Sequence, residues 1–147
     1  MARRGRAADL GFRLLSAFHR GVLAVFGWRV AARIAGMPIV ELRTIGRRSG
    51  APRTVVLSAP VDEPERLVLV ASRGGDDRQP GWYLNLVARP EVEVTRRGAR
   101  TAMVARTATP EERAELWPRI VAAYAGYGEY QRRTTREIPL VICMARS

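Results

Sequence analysis

The chain has 147 residues and a formal net charge of +11, with one cysteine and one histidine. That length makes one domain with a real core; the lone Cys143 excludes an internal disulfide, and a lone His19 with no CxxC or HExxH pattern leaves neither a metal cluster nor a Cys/His nucleophile. None of the 25 basic residues is lysine, so part of the charge reflects the coding bias of a GC-rich genome rather than a ligand.

Residues 8–35 read as an amphipathic helix. Leu10, Leu14, Phe18, Val22, Phe26 and Val30 recur at a spacing of four, and Arg13, Arg20, Arg29 and Arg33 fall among them. The longest uncharged apolar run, GVLAVFGW, is far short of the about 20 residues a bilayer requires. Arg13 and Arg20 also interrupt any secretory apolar region. Such a helix either lies on an anionic membrane surface or packs on its own domain with its arginines in water.

From Pro38 the pattern turns to β. PIVELRTI is a strand, GRRSGAP a turn, and RTVVLSAP and RLVLVAS two further strands. RGGDDRQPG can only be a loop. WYLNLVA makes a short helix ended by Arg89-Pro90. EVEVTR alternates as a half-buried strand does, and Arg97-Gly98 turns it into RTAMVARTA, an antiparallel hairpin. Thr109-Pro110-Glu111-Glu112 carries a helix start: a capping threonine, proline at the first helical position and a glutamate completing a capping box. Pro118 is expected to kink or split that helix. IPLVICMA closes the chain as a strand, with Cys143 a buried, inert thiol inside it. Helices do not alternate with strands, so a mostly antiparallel sheet closed into a small barrel, with helices outside, fits better than a doubly wound parallel sheet.

The chemistry begins at GRRSG. Glycines let backbone approach an anion closely, and successive N–H groups in a tight turn form an anion-binding nest. Arg47 and Arg48 add charge with a planar fork, Ser49 a hydroxyl donor, and Arg53 follows on the next strand. A solvated basic hairpin turn is the plainer reading of the motif alone. Ser72-Arg73-Gly74-Gly75 repeats the pattern at the end of another strand. QPGWYLNL then offers aromatic surface beside amide donors, and Tyr124, Tyr127 and Tyr130 recur at a spacing of three. Two cationic turns with aromatics suit a large, flat, polyanionic ligand of the flavin kind; the tyrosines serve either as core or as walls of a substrate pocket.

The ordered set GRRSGAPR, ASRGG, QPGWYLNL with RPEVEV, TPEERAELWP, and YAGYGEYQ with IPLVIC resembles the deazaflavin-dependent nitroreductase family of actinobacteria over roughly residues 38–145. The resemblance implies a split β-barrel (FMN-binding-like) behind an N-terminal amphipathic helix, divided as residues 1–37 and 38–147. It implies coenzyme F420, an 8-hydroxy-5-deazaflavin with a phosphate and a polyglutamate tail, and hydride transfer to a quinone, enone or nitroaromatic acceptor. Position by position, Arg47, Arg48 and Ser49 match the family's GRKTG-type turn on phosphate and tail, with arginine where lysine is common. Arg53 and the strand to Ser58 match the segment beside the cofactor; Ser58 stands where a nitroimidazole-reducing relative has tyrosine. Val70, Ala71, Ser72 and Arg73 match a second anion and ring contact. Gly81, Trp82, Tyr83 and Asn85 match the segment along the deazaflavin. Tyr124, Tyr127 and Tyr130 match the substrate-pocket tyrosines and are the candidate catalytic residues, Tyr127 the nearest to a cofactor role.

Two rivals share part of this pattern. A split barrel holding FMN keeps the fold, whereas haem is weakened because His19 lies outside the motifs. A basic nucleic-acid-binding module fits the charge, but the arginines are dispersed and no RNP, zinc-finger or helix-turn-helix signature accompanies them. The expected partners are a small-molecule electron acceptor, the inner face of the cell membrane through the N-terminal helix, and a second copy in a homodimer. No nucleic acid is expected, and the expected location is cytoplasmic.

Overall fold

The computed structural model describes residues 33–34 and 36–146. In chain order they form β1 (Arg33–Ile34), β2 (Met37–Ile45), β3 (Pro52–Ser58), β4 (Val61–Asp62), β5 (Arg66–Val70), a 3-10 turn (Arg73–Gly75), α1 (Gly81–Ala88), β6 (Glu91–Arg96), β7 (Ala99–Thr107), α2 (Pro110–Ala123), α3 (Gly126–Arg132) and β8 (Leu140–Ala145). All pairings are antiparallel, in the order β1-β2-β6-β7-β8-β5-β4, with β3 also pairing β2.

The sheet curls into a split half-barrel because its strands must bury two different faces. On β5 and β8, Leu67, Leu69, Val141 and Cys143 turn into an inner cluster with Val40, Leu42, Val94 and Met103. Their neighbours Val68, Val70, Leu140 and Ile142 turn outward onto Leu116 and Ile120 of α2 and Tyr127 of α3. Burial on both sides explains why RLVLV and LVIC read as unbroken apolar runs. The β6–β7 hairpin has one solvated face, so it alternates. Helix α1 joins the inner cluster through Trp82 and Leu86, which brings its first turn against the β2–β3 end of the sheet.

Cys143 is buried, and burial pushes its thiol up to about 12, so it is inert as expected. Arg97 (φ +50) and Gly98 (φ +78) form the left-handed two-residue turn that joins β6 to β7. The Thr109 capping box is present in both directions: Glu112 N donates to Thr109 Oγ1 at 3.2 Å, and Thr109 N donates to Glu112 Oε1 at 3.0 Å.

Two expectations are corrected. The helix read through residue 35 does not hold at its end. Gly36, at φ +76, reverses the chain, so that Arg33 and Ile34 pair with Pro38 and Met37 as strands. The rest of that helix, and with it the membrane contact expected of it, lies outside the described residues. Second, α2 is not split at Pro118. Proline forfeits the bond to the carbonyl of Ala114, and both residues lie on the exposed side, where the loss leaves no polar group buried in the core.

Candidate functional site

The β2–β3 turn closes on itself. Gly46 N donates to Ala51 O at 2.8 Å, Gly50 N donates to Gly46 O at 2.8 Å, and Ala51 N donates to Ser49 Oγ at 3.1 Å. A Cβ at Gly46 would stand 2.6 Å from Ser49 Oγ, and Gly50 holds φ +71; both glycines are set by the tightness of the bend. With its backbone so occupied, the turn projects Arg47 and Arg48 outward.

Helix α1 meets this turn end-on. Pro80 precedes it, and among the described residues no side chain caps it and nothing accepts from the N–H groups of Gly81 and Trp82, which stand at the positive end of the helix dipole. Asn85 lies one turn further on the same side of the helix. Its Oδ1 accepts from Arg47 N at 3.2 Å and from Arg47 Nη1 at 3.0 Å, and its Nδ2 donates to Thr44 Oγ1 at 3.2 Å. Turn and helix enclose a cleft of about 420 Å³, lined by Thr44, Gly46, Arg47, Arg48, Ser49, Arg53, Thr54, Val55, Gly81, Trp82 and Asn85.

Charge balance singles this cleft out. Arg96 bonds Asp62 at 2.6 Å, Arg106 bonds Glu112 at 2.6 Å, and Arg66 bonds Glu63 at 3.1 Å. Arg47, Arg48 and Arg53 have no carboxylate partner among the described residues, and all three face the same space. Three guanidinium groups without a carboxylate partner among the described residues, two helix N–H groups and a serine hydroxyl form a donor set suited to a multiply charged anion.

Of the residues expected from sequence, Arg47, Arg48, Ser49, Arg53, Gly81, Trp82 and Asn85 converge here. Thr44, Gly46, Thr54 and Val55 join them. Thr44 was legible in principle, since it continues the inward alternation of Val40 and Leu42 on β2. Tyr83 does not line the cleft: its hydroxyl lies 2.8 Å from Thr107 Oγ1, and its ring stands at 89° to Trp82 rather than extending it as a platform. Ser58 ends β3 opposite Ile39, half-buried.

The second basic turn is separate. Arg73 (φ +46), Gly74 (φ +64) and Gly75 (φ +85) are consecutive left-handed residues, a strained arrangement in which Arg73 is the costly member. Arg73 Nε lies 3.9 Å from Asp76 Oδ2. Asp76 is held below the usual carboxylate range chiefly by the Arg78 side chain. Val70 and Ala71, just before this turn, are buried in the outer and inner clusters respectively, and Ser72 is buried beside them. The whole loop is tied by Arg136, which the sequence reading missed. Arg136 donates to Ala71 O at 3.2 Å, Ser72 O at 2.9 Å, Asp76 O at 2.9 Å and Gln79 Oε1 at 2.9 Å, and burial lowers its pKa.

The three tyrosines cluster edge-to-face, with ring centroids 5.3, 6.3 and 6.1 Å apart. They sit over the outer face, against the Arg73–Gly75 turn, and do not line the cleft. Tyr127 is 7% exposed, and burial drives its phenol pKa well above the ordinary value; Tyr124 and Tyr130 are half-buried. Burial also raises the pKa of Tyr130.

The described residues thus form an antiparallel split barrel that gathers three arginines, none with a carboxylate partner among the described residues, in a cleft at one end. The family model for F420H(2)-dependent quinone reductases matches residues 16–145, and the chain belongs to that family. It is 38% identical over 138 residues to an F420H(2)-dependent quinone reductase of Mycobacterium tuberculosis, covering 91% of this chain and 89% of the relative. Among solved structures, an F420-H2 dependent reductase (FDR-A) superposes with a TM-score of 0.65 at 41% identity, over 72% of this chain and 93% of that one. A domain-swapped dimer superposes with a TM-score of 0.66 at 41% identity, over 72% and 79%. A haem-binding protein of Mycobacterium smegmatis, at a TM-score of 0.53 and 16% identity over 72% of this chain and 45% of that one, shares the fold alone.

Proposed function

We propose that this chain binds coenzyme F420 with its phosphate and glutamate tail in the arginine cleft, and that it reduces a quinone. The observation that carries the reading is the convergence of Arg47, Arg48 and Arg53, without carboxylate partners among the described residues, on the open N-terminus of α1. Such a donor set matches a chain of phosphate and carboxylate groups. It exceeds the need of FMN, which has one phosphate and no acidic tail. When bound, the reduced deazaflavin supplies a hydride; the protein's task is to hold it and to shape the acceptor site.

Arg47, Arg48 and Arg53 hold the anionic groups, and the indole of Trp82 forms the apolar wall beside them. Tyr124 and Tyr130 are the half-buried hydroxyls able to donate to a quinone oxygen as it gains charge, an interaction that raises turnover more than binding. Tyr127 is the buried ring that supports them. A quinone is preferred to a nitroaromatic because Ser58 stands where the nitroimidazole-reducing pattern has tyrosine.

The test is steady-state oxidation of reduced F420 by menadione, with reduced FMN as the competing donor. F420 should support turnover and FMN should not. Tyr124→Phe and Tyr130→Phe should lower kcat by about tenfold with cofactor affinity unchanged. Turnover with FMN alone, or wild-type kcat in both variants, would contradict the cofactor and the acceptor assignments respectively.

A further inference from the structure

We infer that Asn85 is a positioning residue, which acts on the anionic tail only through Arg47. The inference rests on the reading of the cleft as the tail site. Both hydrogen bonds that Asn85 Oδ1 accepts come from Arg47, one from its backbone N and one from Nη1, at 3.2 and 3.0 Å. The amide nitrogen is engaged by Thr44 Oγ1, itself 1% exposed. With Asn85 only 6% exposed, its carboxamide spends its contacts inside the protein.

Arg47 itself is exposed, on a turn between Gly46 and Gly50, where an untethered guanidinium would sample many rotamers. The amide removes that freedom before any ligand arrives, so binding does not have to. One N–H of the guanidinium is used, and four remain for an anion. Arg48 and Arg53 in the same cleft make no side-chain hydrogen bond among the described residues, which sets Arg47 apart as the pre-oriented cation.

The choice of an amide matters. Among the other described arginines some are oriented by carboxylates, as Arg96 is by Asp62 and Arg106 by Glu112, and some by neutral amides, as Arg136 is by Gln79 and Arg113 by Gln131. A carboxylate at position 85 would fix Arg47 equally well and cancel its charge. A neutral acceptor fixes it and leaves the charge for the ligand.

The experiment is a fluorescence titration with oxidised F420 at two salt concentrations, with a thermal melt of each protein. It compares wild type, Arg47→Ala, Asn85→Ala, Asn85→Asp and the double Arg47→Ala/Asn85→Ala. Arg47→Ala should weaken binding about tenfold, the loss of one charge-assisted contact. Asn85→Ala should approach that loss, and the double variant should be no weaker than Arg47→Ala alone. Asn85→Asp, which keeps the shape, should bind more weakly than wild type with a flatter salt dependence, while its melt stays at or above that of wild type. Losses that multiply in the double variant would make Asn85 an independent contact and overturn the inference. So would wild-type affinity in Asn85→Asp. A wild-type protein that binds no F420 at all would overturn the cofactor reading, and the inference with it.

Discussion

Gly74 and Gly75 are neighbours in the same left-handed turn, at φ +64 and +85, yet their surroundings differ. A Cβ at Gly74 meets nothing within 4 Å, whereas one at Gly75 would lie 2.7 Å from the backbone carbonyl of Tyr130 and 3.0 Å from Arg133 Cβ. Gly74→Ala should therefore cost only the left-handed penalty, about 1 kcal/mol. Gly75→Ala must also push α3 off the turn and should cost about 3 kcal/mol. Urea unfolding of the two variants separates these costs, and equal losses would mean that α3 does not press on the turn. The contrast also shows what single residues disclose. Both glycines are visible in ASRGG, but the contact that makes one of them obligatory comes from a helix more than fifty positions away. Arg136 is illegible for the same reason: its acceptors lie 57 to 65 positions upstream, and nothing in its local pattern marks it.

The start of α2 is where a local motif and its geometry coincide. Thr109 and Glu112 form the expected capping box, and Arg106 from the end of β7 adds a two-pronged bond to the same carboxylate, at 2.6 and 2.8 Å. The Arg106 guanidinium, followed by the Thr109 backbone N–H, holds the Glu112 carboxyl down at about 2. A depressed carboxyl contributes stability that is fully present above its unfolded value of 4.5 and is lost as pH falls through about 2. Glu112→Gln should thus melt below wild type at pH 7, with the gap closing between pH 5 and pH 2. A gap that is constant with pH would mean that the carboxylate contributes no more than the amide. Elements with a strong period or a start signal were legible at this scale: EVEVTR occupies β6 from end to end, and the capping motif places α2. Elements set by partners were not. β4 has two residues and no period to read, and β1 exists only because Gly36 folds Arg33 and Ile34 back onto β2. The split allowed for at Pro118 does not occur because helix breaking depends on which face a proline occupies, and periodicity around PEERAELWPRIVAA does not settle that before α2 is packed.

At the scale of the whole molecule, a net charge of +11 says little about where a ligand sits. Many of the described arginines are balanced by carboxylates across the barrel surface, such as Arg43 and Arg100 on Glu93 or Arg119 on Glu63. What distinguishes the β2–β3 end is that the fold gathers Arg47, Arg48 and Arg53 there without such partners among the described residues, and sets the start of a helix against them. The motif GRRSG located one wall of this cleft, and QPGWYLNL the other. Their meeting across the open side of the half-barrel required the tertiary fold, as did the separation of the tyrosines onto its outer face. Whether this cleft grips an acidic tail is read most directly from one titration: the affinity of the protein for F420 against that for the same deazaflavin stripped of phosphate and glutamates. Tail-bearing F420 should bind at least tenfold more tightly, about 1.4 kcal/mol, with the advantage shrinking as salt is raised. Equal affinity for the two at low salt would contradict the claim.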